Sequence, residues 1–200
     1  MKSIYAIVLA AGKASRMGES KVILPIGNKL VIQHCIDNLI NAGINNIILV
    51  INDNGKDIVK AAGAPPVAVV INNKKDSDMA ESVRTGMRLI KNNKASVLIS
   101  LADQPLIKSK TIKKIINTSF SMPEKIIIPV YKNKKGHPTL FPITLLKKIK
   151  QLNSLRDIIL IEKENICYLD IEDKGIILDM DTPDDYNNIL RIYGEYHPSS

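Results

Sequence analysis

Apolar residues in this chain come in two alternating patterns. Ile4–Leu9, Ile47–Ile51, Val67–Ile71 and Val97–Leu101 are short, nearly unbroken apolar runs that read as strands, the first two as buried ones. Between them, apolar side chains recur every three or four positions. Leu30–Ala42 carries Ile32, Ile36, Leu39 and Ile40, and Gly43 follows as a helix-ending glycine. Lys56–Ala62 reads as a short helix. Met79–Lys91 reads as a helix with Val83, Met87 and Ile90 inward, and Ser109–Ser119 as one with Ile112, Ile115 and Ile116 inward. Strands alternating with helices predict an α/β fold whose parallel sheet is covered on both faces.

The alternation changes after Ser119. Lys125–Tyr131 and Pro138–Phe141 read as strands around a basic loop, Lys132–His137. Pro142–Gln151 and Ser154–Lys163 read as helices, and Ile166–Ile171 and Ile176–Leu178 as short strands. Thr182-Pro183-Asp184-Asp185 opens a last helix, with a hydroxyl cap, proline at the first position and acids in the first turn. No repeat, linker or low-complexity tract divides the chain, so residues 1–200 are expected to form one domain.

The ends of these strands carry the chemistry. In parallel α/β sheets, ligands bind beyond the carboxyl ends of the strands. The first strand runs into Leu9-Ala10-Ala11-Gly12-Lys13-Ala14-Ser15-Arg16-Met17-Gly18-Glu19-Ser20-Lys21. Small residues let backbone N–H groups approach a ligand closely, and successive N–H groups form an anion-binding concavity. Arg16 and Lys21 add charge where a polyphosphate would sit. Gly12 and Gly18 lie six positions apart and Glu19-Ser20-Lys21 follows, so the loop is neither G-x-x-x-x-G-K-[ST] nor G-x-G-x-x-G.

Four further places are candidates, each with a structural alternative. Asp103-Gln104-Pro105 follows the fourth strand; it is either a turn or a carboxylate placed for Mg²⁺, which takes one or two carboxylates plus phosphate oxygens. Asp179 and Asp181, at i and i+2, share a face of an extended segment; they complete such a metal site or merely precede a helix. His137, between Gly136 and Pro138, contacts substrate or is simply exposed; His34 is expected on an exposed helix face. Asp78–Gly86 binds a base or phosphate near Ser82, or is a capping variant in which Asp78 caps Glu81.

Composition narrows the class. The chain has 45% hydrophobic and 24% charged residues and a formal net charge of +8. Its lysines are dispersed, aromatics are 4% and Trp is absent, which argues against nucleic acid and for attraction of a small polyanion. No apolar run approaches the roughly 18 residues of a membrane span, and no secretory leader is read at the start. Cys35 and Cys167 form neither a disulfide framework nor a zinc pattern. A cytoplasmic protein is expected.

Taken in order, Leu9-Ala10-Ala11-Gly12-x-x-Ser15-Arg16-Met17-Gly18-x-x-Lys21, Ala102-Asp103-Gln104-Pro105, Gly136-His137-Pro138 and Asp179-x-Asp181-Thr182-Pro183-x-Asp185-Tyr186 resemble the MobA-like nucleotidyltransferase family. Within it, Ala11 resembles the branch that attaches a cytidylyl group to molybdenum cofactor; guanylyltransferases tend to have Gly-Gly there. The resemblance runs from Ile4 to about Leu190. It implies a Rossmann-like three-layer sandwich with a mostly parallel central sheet, as in nucleotide-diphospho-sugar transferases. It further implies a nucleotide-binding part, 1–124, and an acceptor-facing part, 125–180. Leu9, Ala10, Ala11, Gly12, Ser15, Arg16, Lys21 and Ser82 would bind nucleotide, and His137 the acceptor. Asp103 and Asp181 would hold Mg²⁺, and Arg16, Lys21 and Asp103 would carry catalysis. The implied substrates are CTP and a molybdopterin-type phosphate, with GTP or a sugar or polyol phosphate as alternatives, a non-catalytic cofactor-delivery protein as the less favoured reading, and a molybdoenzyme or its chaperone as partner. Two departures stand out: Asp78 occupies a place where relatives often have Gly, and Lys13 replaces a commoner small residue.

Overall fold

The computed structural model describes residues 3–11, 21–53, 55–63, 67–74 and 78–196. Strand β1 (Ile4–Leu9) lies in the interior of the main sheet. A small hairpin, β2 (Pro25–Ile26) and β3 (Lys29–Leu30), leads into helix α1 (Val31–Asn41). Gly43 then takes φ +90°, the left-handed conformation that ends α1. Strand β4 (Ile47–Ile51), helix α2 (Lys56–Ala62), strand β5 (Val67–Ile71), helix α3 (Met79–Met87), strand β6 (Ser96–Leu101) and helix α4 (Ser109–Ser121) follow. The second part contributes β7 (Ile126–Tyr131), β8 (Lys134–Lys135), β9 (Thr139–Pro142), α5 (Ile143–Leu146), α6 (Leu155–Ile161), β10 (Ile166–Asp170) and α7 (Pro183–Tyr196).

The main sheet runs in the order β10-β7-β9-β6-β1-β4-β5. β1 pairs in parallel with β4 and β6, β4 with β5, and β7 with β10, whereas β9 is antiparallel to both β6 and β7. Successive side chains of each strand point to opposite faces. Ala6, Val8, Ile47, Leu49 and Leu98 therefore enter a core with α1, α2 and α4, while Ile7, Ile48, Val50, Val97 and Ile99 enter one with α3, α5 and α6. The result is a mostly parallel Rossmann-like three-layer sandwich. A third cluster, Ile26, Val31, Met180 and Ile189, fastens α7 beside the β2–β3 hairpin.

Four local expectations are corrected. Helix α3 ends at Met87 rather than Lys91, because the chain tightens into turns in which Leu89 N–H donates to Gly86 and Ile90 N–H to Met87. The basic loop 132–137 is a tight hairpin instead: Lys132 and Asn133 at φ 47° and 65° form its two-residue turn, and Lys134 pairs with Tyr131. Ile176–Leu178 is not a strand. Residues Lys174–Ile177 wind into a 3₁₀ turn started by the Asp173 carboxylate, which accepts from Gly175 N–H. His34 is half-buried, its ring against Tyr193 and its Nε2 at 2.9 Å from the Ile26 carbonyl.

Candidate active site

Strands β1, β4, β5, β6 and β7 all point their carboxyl ends toward the same edge. β1 delivers Leu9, Ala10 and Ala11 there; Ala10 N–H is held by the Val50 carbonyl at 2.9 Å and the Leu9 carbonyl accepts from Ala102 N–H at 3.2 Å. The predicted phosphate-binding residues Gly12, Ser15 and Arg16 lie outside the described residues. Description resumes at Lys21, the first residue of a 3₁₀ turn, Lys21–Ile23.

Lys21 is the centre of the site. Its Nζ donates to Asp103 Oδ2 at 2.5 Å and to Asp181 Oδ1 at 2.6 Å. Asp103 sits just past β6. Asp181 precedes α7, whose start is locked by a capping box: Asp185 accepts from Thr182 N–H and its own N–H donates to the Thr182 hydroxyl. The side chains of Lys21 and Asp103 are 18% and 17% exposed, that of Asp181 69%. Burial pulls the Lys21 ammonium down, but its hydrogen bonds to Asp103 and then Asp181, with their charges, overcome that and hold it above its ordinary value. Burial pushes the nearby Cys35 thiol up, and the Asp103 charge adds to the effect.

A second set of contacts lies beside the first. Gln104, only 2% exposed, donates from Nε2 to Asp179 Oδ1 at 2.7 Å and to the Ile176 carbonyl at 3.4 Å. The same carbonyl accepts from His137 N–H at 2.9 Å. Gly136 admits no side chain, since a Cβ there would meet the Ile176 oxygen at 2.3 Å. Asp173 fixes this turn against α4, accepting from Lys108 N–H at 2.9 Å and from the Thr111 hydroxyl at 2.6 Å. Burial holds the half-buried His137 ring below its ordinary value, opposed by the charges of Asp179 and Asp103. His137 is thus a neutral ring at neutral pH, within the field of both carboxylates.

Asp179 and Asp181, expected to share a face, thus take different partners. Ser82 is 5% exposed in the first turns of α3 and accepts from Asn72 Nδ2 at 3.1 Å. Asn72, just beyond β5, has no assigned role in the sequence; its signal is an amide directly after an apolar run. Gln104 is visible only as part of a motif. Asp78 caps α3 by accepting from Glu81 N–H at 2.7 Å. Arg84 donates to the Ile149 and Leu152 carbonyls at 2.8 Å and holds the α5–α6 segment to α3. Gly86 allows α3 close to Ile7 and Val50.

The carboxylates suit a divalent ion that shares its coordination with a ligand. Among the described residues there is no cluster of three or more His, Cys, Asp or Glu able to form an all-protein cage. Asp103 and Asp181 nevertheless converge on one cation, and Asp103 Oδ1 is buried with no hydrogen-bond partner among the described residues. Two carboxylates with substrate phosphates are the donor set magnesium accepts. Among the described residues, no helix is long and apolar enough to cross a membrane.

A family model described as a MobA-like NTP transferase domain matches residues 6–164. The molybdenum cofactor cytidylyltransferase of Escherichia coli (strain K12) is 26% identical over 199 residues, 98% of this chain and 100% of that protein. The bifunctional protein GlmU of Staphylococcus haemolyticus (strain JCSC1435) is 27% identical over 113 residues; the match takes in 56% of this chain and 25% of GlmU, so the chain spans about a quarter of that relative. Among solved structures, Rv0371c from Mycobacterium tuberculosis H37Rv matches with a TM-score of 0.79 at 27% identity, covering 95% of this chain and 99% of that one.

Proposed function

The chain belongs to the MobA-like NTP transferase family, and from that premise we propose that it transfers CMP from CTP to the terminal phosphate of a molybdopterin-type acceptor, releasing pyrophosphate. The transfer chemistry rests above all on one observation, the Asp103–Lys21–Asp181 bridge at the carboxyl end of the sheet. The acceptor rests on the full-length similarity to the E. coli molybdenum cofactor cytidylyltransferase. We place it in the cytoplasm.

An acceptor phosphate is already ionised at neutral pH, so the reaction needs no general base at the attacking oxygen. The chain's task is to hold two anions in line and neutralise their charge. Ala10 and Ala11 offer a close backbone approach just ahead of Gly12, Ser15 and Arg16 in the sequence. Lys21 would meet the β- and γ-phosphates and stabilise the leaving pyrophosphate. Ser82, held by Asn72, would lie near the nucleoside. His137, neutral and fixed by its backbone to Ile176, would donate or accept one hydrogen bond at the acceptor without adding charge. Asp103 and Asp181 would hold Mg²⁺, which when bound supplies charge neutralisation to the phosphate oxygens.

The test is pyrophosphate release by the purified chain with Mg²⁺ and CTP, GTP, ATP or UTP in turn, with and without molybdenum cofactor. Release that requires the cofactor and prefers CTP is the expected result. A preference for GTP would change the base, and release with a sugar or polyol phosphate would change the acceptor. Failure with every nucleotide and acceptor would overturn the proposal.

A further inference from the structure

We infer that Lys21 is the resident cation of the Asp103–Asp181 pair, and that a divalent ion gains the pair only together with a polyphosphate that receives the displaced ammonium. The inference deepens the nucleotidyltransferase reading and rests on it. Lys21 Nζ stands 2.5 Å from one carboxylate and 2.6 Å from the other. Carboxylates brought this close repel unless a cation lies between them. Lys21 therefore does in the free protein what a metal would do in the complex.

The two cations compete for the same oxygens. Magnesium would ligate at about 2.0–2.1 Å, and a second positive charge cannot stay between the same carboxylates. Removing a partly buried ammonium from its partners without a replacement leaves an uncompensated charge, which is costly. Among the described residues little else is placed to receive it. Asp185, which among the described residues also feels the Lys21 charge, already accepts from the Thr182 hydroxyl and from the N–H groups of Asp181 and Thr182. A nucleotide polyphosphate supplies both missing parts: oxygens for the ion and an anion for Lys21. Metal and nucleotide then strengthen each other's binding, and free metal binds weakly. Asp103 Oδ1, buried and without a hydrogen-bond partner among the described residues, is left available for the incoming ion.

The measurement is binding of free Mn²⁺, a spectroscopically visible stand-in for Mg²⁺, to the full chain without nucleotide, read from the loss of the free-ion paramagnetic signal. Lys21→Met, which removes the competing charge, should bind Mn²⁺ about tenfold tighter than the unmodified chain, within the usual range of couplings between sites. Lys21→Arg should bind as the unmodified chain does, and adding Asp103→Asn to Lys21→Met should erase the gain. Mn²⁺ should also raise the melting temperature of Lys21→Met more than that of the unmodified chain. Lys21→Gln repeats the comparison if Lys21→Met melts below the assay temperature. Calorimetric binding of Mn·CTP to the unmodified chain separates the two levels of argument. If Mn·CTP binds but neither neutral variant gains affinity for free Mn²⁺, Lys21 is not a competitor and the inference is overturned while the functional reading stands. If Mn·CTP does not bind, both fall.

Discussion

Asp179 and Asp181 leave the same short segment two positions apart and enter opposite surroundings. Asp179 is gripped by the neutral Gln104 amide beside a turn jammed at two points. A Cβ on Gly136 would strike the Ile176 oxygen, and one on Gly175 would lie 2.5 Å from the Leu106 oxygen. Asp181 is 69% exposed and held by the flexible ammonium of Lys21. One arm is built to keep its shape, the other to exchange its partner. Asp181, not Asp179, is thus the carboxylate placed to share a cation with Asp103, while Asp179 sets the field around His137.

The harshest break of this comparison is at Asp103, where both arms meet: it bonds Lys21 and its charge reaches His137. Asp103→Asn should lower pyrophosphate release about a thousandfold, as loss of a focused electrostatic group does, while the circular dichroism spectrum stays native. A variant with near-normal turnover would show that neither arm depends on this carboxylate. Next comes Asp181→Asn, which should cost about 10- to 100-fold in metal affinity or activity, comparable to disturbing a metal's supporting contacts. Asp179→Asn should leave the metal requirement unchanged and act on KM for the acceptor. Equal metal requirements in the two variants would erase the distinction. Gly136→Ala is milder: overpacking against Ile176 should cost about 1–3 kcal/mol of stability. Its melting temperature should fall while its Mn²⁺ affinity holds.

The exchangeable and rigid arms were unequally legible in the sequence. Leu9 and Asp103 could be placed at strand ends because apolar runs such as Ile4–Leu9 and Val97–Leu101 fit only strands covered on both faces, whereas Asp181 was legible only as a residue before the last helix. That Lys21 would touch Asp181, 160 positions away, could not be read from any local pattern; charge alone assigned it to phosphate. Ile176-Ile177-Leu178 looked like a strand because three apolar residues have no measurable period. Its turn is dictated by Asp173, whose partners are Thr111 in α4 and Lys108 just before it. Gln104 and Asn72 were silent for the same reason: an amide's role lies in what it bonds, and both partners come from elsewhere in the fold.

The smallest effect, the pH dependence of stability, probes the rigid arm most directly. Burial lowers the His137 pKa from its ordinary 6.5, so the fold favours the neutral ring. Between the folded value and 6.5 the unfolded chain binds the extra proton, and stability rises with pH across that window. The contribution is complete above 6.5 and is lost as pH falls through the folded value. In metal-free protein, melting temperatures measured from about pH 7.5 to about pH 5 should fall more steeply for the unmodified chain than for His137→Gln, which has no ring to protonate. Asp179→Asn removes a charge that favours the protonated ring, so it should shift this loss to lower pH. The charges that oppose burial at His137 are those of Asp179 and Asp103, so Asp181→Asn should leave the profile where it is. Identical displacement by the two asparagine variants would mean that the arms share one electrostatic field, and that their separation is one of hydrogen bonding alone.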